Sequence, residues 1–390
     1  MGKFLIGLFG VFLLCTAAAG QRAASAPGDV IMFVGTYTRA PSKGIYAYRL
    51  KGATGTLTPL GTAGLAGETE NPSFLAVHPN QRFLYAVNEV SRYDGRPAGS
   101  ISAFAIDPAT GTLTLLNRVS SGGGGPCHVS IDRSGKWLFA ANYGGGSVAA
   151  FPLHQDGTVG EASAFFQHTG ASVDPARQSG PHAHEAVVSP DNRFVLAADL
   201  GLDRVFTYRL DPAAGGLAPA DPPFAAVAPG SGPRHLAFRP DGKFVYVLSE
   251  MLSRVVAFRY DAGRGTLAEL QTLSTLPEGF SAENSGAEIS THPSSKFLYA
   301  SNRGHDSIAV FRIDAAKGTL TPVDRVSTQG KTPRGFAIDP SGRFLLAANQ
   351  NSGTVVVFRI DQQTGGLTPM GITVEVPSPV SVVFASVQPR

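Results

Sequence analysis

Four short stretches carry side chains suited to acid–base and anion chemistry: GPHAHE (180–185), GPRH (232–235), VLSE (247–250) and SNRGH (301–305). Arginine offers a planar fork of N–H donors that holds carboxylates, phosphates and polarised carbonyls through paired bonds. Histidine takes or gives a proton near neutral pH. Arg234 and Arg303, His182 and His184, and Glu250 are therefore read as ionisable groups of a site that binds something polar. His128, His235, Glu288, His305 and Arg334 recur in similar contexts, beside Glu89, and read as further contacts to whatever binds.

Residues so far apart in sequence need a fold that gathers them. Aligning the aromatic of SIAVFRID (Phe311) with its counterparts gives Tyr48, Phe104, Phe151, Tyr208, Phe258 and Phe358, seven copies at spacings of 56, 47, 57, 50, 53 and 47. Each copy leads into a turn and short strand such as TGTLTPL or KGTLTPV. Six are preceded by a polar corner and a strand such as HPSSKFLYASNR. The first copy lacks a strand, and a spare one, PVSVVFASV, stands at the C-terminus. Units of about fifty residues whose middle strands are apolar at nearly every position fit blades stacked around an axis. The pattern predicts an all-β, seven-bladed β-propeller of four-stranded antiparallel blades over residues 28–390. The C-terminal strand pairs with the N-terminal blade and closes the ring, because an open edge would leave backbone groups unpaired. An open solenoid is the other reading of such a repeat, but it does not explain the displaced strand. In the ring, the start of each innermost strand and the end of its neighbour share one mouth, and the chemistry-bearing residues fall there. His78 and His292 fall at the opposite corners.

The rest of the composition narrows the function. The net charge is +3, from 32 Lys and Arg against 29 Asp and Glu, without a basic stripe, so no nucleic-acid partner is expected. Residues 1–26 carry one Lys, an apolar run and small residues, an export signal too short for stable membrane insertion. The protein is thus expected to be periplasmic or secreted, with lipidation at Cys15 as a variant of that reading. Cleavage leaves Cys127 alone, either an inert buried thiol or a nucleophile. His182 and His184 would share a face of a strand, and with Glu288 or Asp199 they form an alternative metal reading.

The run GPHAHEAVVSPDNRFVLAADLGLDRVFTYRL, together with GPRHLAFRPDGKFVYVLSE and FLYASNRGHDSIAVFRI, resembles the lactonase family of seven-bladed propellers, over about Phe33 to Phe384. That family contains bacterial propeller-type 6-phosphogluconolactonases and fungal muconate-lactonising enzymes. The resemblance implies a His, two Arg and a Glu in the central opening, which by motif fall on His184 (with His182 kept beside it), Arg234, Arg303 and Glu250. On that set, Arg234 and Arg303 would position the substrate and offset charge growing on its carbonyl oxygen, His184 or His182 would take a proton from the attacking water, and Glu250 would orient that imidazole or act as acid and base itself. The expected activity is hydrolysis of a sugar-acid lactone; this chemistry requires no protein nucleophile, the resemblance does not call for a metal, and a cofactor-free monomer with a small-molecule lactone as its partner is expected. Export would part the protein from a cytosolic sugar phosphate, which makes an unphosphorylated lactone a second expectation. A muconate-type cycloisomerase and a non-catalytic envelope propeller that binds a ligand or protein are the competing readings; fold alone does not decide among them.

Overall fold

The strand Val30–Thr36 is buried on both faces. Met32 and Val34 pack in a cluster with Phe344, Leu346 and Val357, while Ile31 and Phe33 pack in another with Leu84, Ala86 and Phe104. Successive strand side chains point to opposite faces, so a strand held between two neighbouring sheets is apolar throughout. FLYAVN, FVLAAD, FVYVLS and FLLAAN are buried along their whole length for the same reason.

The computed structural model describes residues 28–387 except 212 and 214, together with the first two residues. Among the described residues there is no α-helix, and the strands form seven antiparallel sheets. Six sheets, blades II to VII, each use four consecutive strands. Blade I is composite: its innermost strand is Pro379–Ser386, followed outward by Val30–Thr36, Gly44–Leu50 and then Leu57–Pro59 and Leu65–Glu68, which both pair with Gly44–Leu50. The C-terminal strand runs antiparallel to the N-terminal one from Val30↔Ser386 to Gly35↔Ser381, the closure that the displaced strand predicts. Most of the export signal expected over residues 1–26, including Cys15, lies outside the described residues. No helix among the described residues is long and apolar enough to cross a membrane.

Apolar seams join each pair of neighbouring blades, the last linking blade VII to blade I. A fully buried Phe or Tyr ring at such a seam contributes roughly 1.5–3 kcal/mol. A polar tie repeats beside the apolar ones. The hydroxyls of Tyr85, Tyr246 and Tyr299 donate to the carbonyls of Gly157, Gly318 and Gly365, which lie in the outer hairpin of the next blade. Gly318 and Gly365 adopt φ of 72° and 79°, and a Cβ there would stand 2.1 and 2.5 Å from Phe244 and Phe297. Both the turn and the ring packing thus require glycine, which accounts for the recurrent glycine of the outer hairpins. At the corners away from the mouth, His78 and His292 bond Gly135 O and Gly342 O of the following blade at 2.9 and 2.7 Å, as turn residues.

Candidate active site

Six of the seven innermost strands carry an irregularity at the mouth of the ring. In Pro126–Ile131, Ala183–Val188, Pro233–Phe238, Pro333–Ile338 and Pro379–Ser386 the register skips one residue on the innermost strand: Cys127, His184, Arg234, Arg334 and Val380 respectively. In Ser285–Thr291 it skips Ala287 and Glu288. A bulge re-aims the extra side chain, and repeating it blade after blade directs residues of unrelated sequence toward one axis. Cys127, Arg234, Arg334 and Val380 line one small axial cavity with Glu89, His235 and Glu288.

Glu250 follows the second strand of blade V, Phe244–Ser249, its backbone N–H donating to Gly232 O. Its carboxylate gathers three guanidinium groups. Oε2 lies 3.1 Å from Arg234 Nε and 2.9 Å from Arg303 Nη2, and Oε1 accepts from Arg177 Nη2 at 2.7 Å. Arg234 also donates to Ala287 O, and Arg303 to Gly286 O at 2.9 Å, so backbone as well as charge fixes both side chains. Burial alone would raise the Glu250 carboxyl, but Arg303, Arg234 and the Arg177 hydrogen bond outweigh it and hold the group at about 2. Burial, reinforced by repulsion from Arg234, brings Arg303 down to about 10. The Nε atoms of Arg234 and Arg303 are buried without a well-directed hydrogen bond among the described residues; the 3.1 Å contact of Arg234 Nε to Glu250 is an ion pair of poor angle.

One residue deeper along the innermost strands lies a layer of His–Glu pairs between adjacent blades. His235 Nδ1 donates to Glu288 Oε1 at 3.0 Å, and His128 Nε2 lies 3.4 Å from Glu185 Oε1. Glu185 also accepts the backbone N–H of Leu236. Burial lifts the Glu288 carboxyl to about 7. Burial, then the neighbouring Arg234 charge, depresses His184 and His235 well below the usual imidazole range, so both rings are neutral at pH 7. On the blade VII side, Arg334 Nη2 donates to the Tyr37 hydroxyl at 2.9 Å, and this hydroxyl donates to Glu89 Oε2 at 2.8 Å.

A surface cleft of about 630 Å³ is a different place, bordered by Asp132, Trp137 and His154. Asp132 there accepts the backbone N–H groups of Ser134, Lys136 and Trp137, the work of a corner residue, and Asp339 repeats it with Ser341, Arg343 and Phe344. The axial cluster is the functional candidate because its buried charges converge on one opening.

Residues 31–384 match the family model "Lactonase, 7-bladed beta-propeller". The chain belongs to that lactonase family. It is 39% identical to the 6-phosphogluconolactonase of Bacillus subtilis, over 79% of this chain and 85% of that protein. Among solved structures it is 38% identical to a putative 6-phosphogluconolactonase from Bacteroides fragilis (TM-score 0.86, covering 93% of this chain and 100% of that one). It is equally 38% identical to the periplasmic gluconolactonase of Pseudomonas aeruginosa (TM-score 0.86, covering 92% of this chain and 100% of that one).

In this lactonase the residues singled out from sequence do not all meet. Arg234, Arg303 and Glu250 form one cluster; Arg334, His235, Glu288 and Glu89 share the cavity beneath it, and His128 packs its ring 5.6 Å from that of His235. His305 stands apart: its Nδ1 bonds Ser307 Oγ at 2.7 Å and its ring packs edge-on to Phe280. Glu250 orients arginines, not an imidazole. The bulge at His184 breaks the simple strand period from His182, yet both rings touch Tyr143, His182 stacked at 4.5 Å and His184 edge-on at 5.4 Å. The carboxylates proposed to complete a metal site are committed elsewhere. Glu288 holds His235, and Asp199 takes the His182 backbone N–H at 2.8 Å and His168 Nδ1 at 2.6 Å. Among the described residues no His, Cys, Asp and Glu form a metal-binding group. Burial raises the Cys127 thiol, which donates to His184 O at 3.2 Å, the surroundings expected of an inert buried thiol. Sequence reading missed Arg177, which lies outside the repeat in the connection between blades III and IV. Its only local sign is the turn-forming DPAR.

Proposed function

We propose that this lactone hydrolase opens a sugar-acid lactone at the axial mouth, with Arg234 and Arg303 receiving the carbonyl oxygen. The observation that carries the reading is the pair of buried guanidinium groups tied to Glu250, each with an Nε–H still short of a well-directed acceptor. A buried donor left unpaired is costly, and an oxygen that gains negative charge as water adds to it is the partner such donors stabilise most. Glu250 fixes both arginines before substrate arrives, so little reorganisation accompanies the reaction.

His182 is assigned as the base. Its Nδ1–H donates to Tyr143 O at 3.0 Å, which fixes the tautomer and leaves the Nε2 lone pair to accept a proton. Water adds to the carbonyl carbon while its proton passes to Nε2. The tetrahedral oxyanion is held by the arginines. Collapse breaks the ring C–O bond, and the imidazolium returns the proton to the leaving oxygen, giving the open hydroxy acid. His184, deeper and neutral, packs beneath the same tyrosine. Similarity to a 6-phosphogluconolactonase and to a periplasmic gluconolactonase supports an aldonolactone, with or without a phosphate. The N-terminal segment and the second of these relatives support action outside the cytoplasm. The test is acid release by the purified protein from five- and six-membered aldonolactones, beside Arg303→Ala and His182→Ala. The reading fails if wild type stays at the uncatalysed rate on every lactone, or if both variants match wild type.

A further inference from the structure

One member of the arginine cluster differs from the others. Arg234 and Arg303 come from blade strands, and their side chains are 3% and 14% exposed; Arg177 comes from the connection between blades III and IV and is 43% exposed. That connection is tightly built. Gln178 is fully buried, donating to Leu200 O at 2.9 Å and accepting the Asp174 backbone N–H at 3.2 Å. Asp174 Oδ1 takes the backbone N–H groups of Ala176 and Arg177, and Ser172 Oγ donates to Asp203 at 2.5 Å. Such anchoring presents Arg177 over the mouth with its guanidinium on Glu250 Oε1 and 3.4 Å from the Tyr143 hydroxyl.

The charges here do not balance locally. One carboxylate faces three guanidinium groups, and its Oε2 already serves the two buried ones. Arg234 or Arg303 could not leave Glu250 without stranding a buried charge, which is severely unfavourable. Arg177 can leave, because its head group reaches water and Glu250 keeps two partners. It is therefore the exchangeable cation of the site, standing where an incoming molecule first meets the cluster.

The geometry points to Arg177 as a specificity residue that turns from Glu250 to an anionic substituent of the substrate, a phosphate ester or carboxylate remote from the carbonyl under attack. This rests on the proposed lactonase site. A guanidinium fork suits either anion through paired charge-assisted bonds, and three guanidinium groups gathered on one carboxylate favour an anionic ligand over a neutral one.

The test compares wild type, Arg177→Gln and Arg177→Lys on glucono-1,5-lactone and on its 6-phosphate, with kcat and KM separated. In parallel, calorimetric titrations with 6-phosphogluconate, glucarate and gluconate read binding without turnover, the first two distinguishing phosphate from carboxylate. The expected result is that Arg177→Gln lowers the ratio of kcat/KM for the phosphorylated over the unphosphorylated lactone at least tenfold, mainly through KM. It should also weaken binding of whichever of 6-phosphogluconate and glucarate wild type prefers over gluconate, and Arg177→Lys should restore part of both effects. A ratio unchanged within twofold, or equal binding of all three acids by wild type, overturns the inference. If wild type hydrolyses neither lactone yet binds a dianion through Arg177, the anion contact stands and the hydrolase reading fails.

Discussion

Replacing Glu250 by Gln tests the central cluster, because it keeps shape and removes one charge from among three guanidinium groups. The carboxyl is held at about 2 against an ordinary 4.5, a drop of about 2.5 pH units, and at ~1.4 kcal/mol per unit this is worth about 3 kcal/mol of stability. The side chain is only 8% exposed, so solvent screening removes little of that. Breaking a buried ion pair from one side typically costs about 3–5 kcal/mol, the same range. At ~2.1 cal/mol/K per residue, a ring of about 360 residues converts 3 kcal/mol into a melting point lower by about 4 °C. A depressed carboxyl contributes stability above its unfolded pKa and loses it as pH falls through the folded value. The deficit of Glu250→Gln should therefore be full at pH 7, fall to about half at pH 3 and vanish toward pH 2. Calorimetric melts of both proteins across that range read it. Lactone hydrolysis should drop on the order of 10²-fold or more, as when one preorganised oxyanion contact is lost. Melting points within 1 °C at pH 7, or a deficit that stays constant down to pH 2.5, would refute the argument that this carboxylate is held ionised by its arginines.

Glu288 gives the opposite sign: burial raises it to about 7, so its contribution is present below its unfolded pKa and lost as pH rises to 7. Glu288→Gln should gain stability relative to wild type between pH 5 and pH 8, by melting point, and a flat difference would contradict this. Cys127→Ala should retain lactone hydrolysis within about threefold while losing about 1–2 kcal/mol of stability from a buried side chain, and a thiol reagent should leave the folded wild type active; loss of activity on thiol modification would reopen the nucleophile reading. Ending the chain at Val376 should remove the innermost strand of blade I and expose both its partner strand and the blade VII seam. Soluble, cooperatively melting protein would show that the ring does not depend on closure.

The blade number, the strand order and the closing strand were all legible in sequence. Each leaves a local mark: a repeated aromatic, turns built on glycine, and one strand displaced to the far end of the chain. The position of the mouth was legible too, since chain direction alone places the start of one strand beside the end of the next. Side-chain partners were not. From sequence Glu250 reads as the partner of an imidazole or as an acid and base itself, whereas its position between Arg234 and Arg303 depends on how blades V and VI abut. His305, two residues from Arg303, turns instead to Ser307 and Phe280. Arg177 gave no periodic signal at all, because its loop belongs to no blade.

The bulges explain why proximity in motif misled while position in the repeat did not. A regular strand would send His184 and Arg234 to the same faces as their alternate neighbours, into the seams between blades. Skipping one residue in the register turns each toward the axis and leaves the rest of the strand packed as before. Bulge residues thereby reach the mouth while the seams stay packed, and they are joined there by residues at the ends of second strands, such as Glu250 and Arg303. Arg234, Arg303 and Arg334 fall on blades V, VI and VII, while His182 and His184 belong to blade IV. A bound carbonyl would therefore lie with its oxygen toward blades V and VI and its carbon open to attack from the blade IV side. This polarity follows from which blades carry the arginines and which the imidazoles, and it sets the face on which water must add.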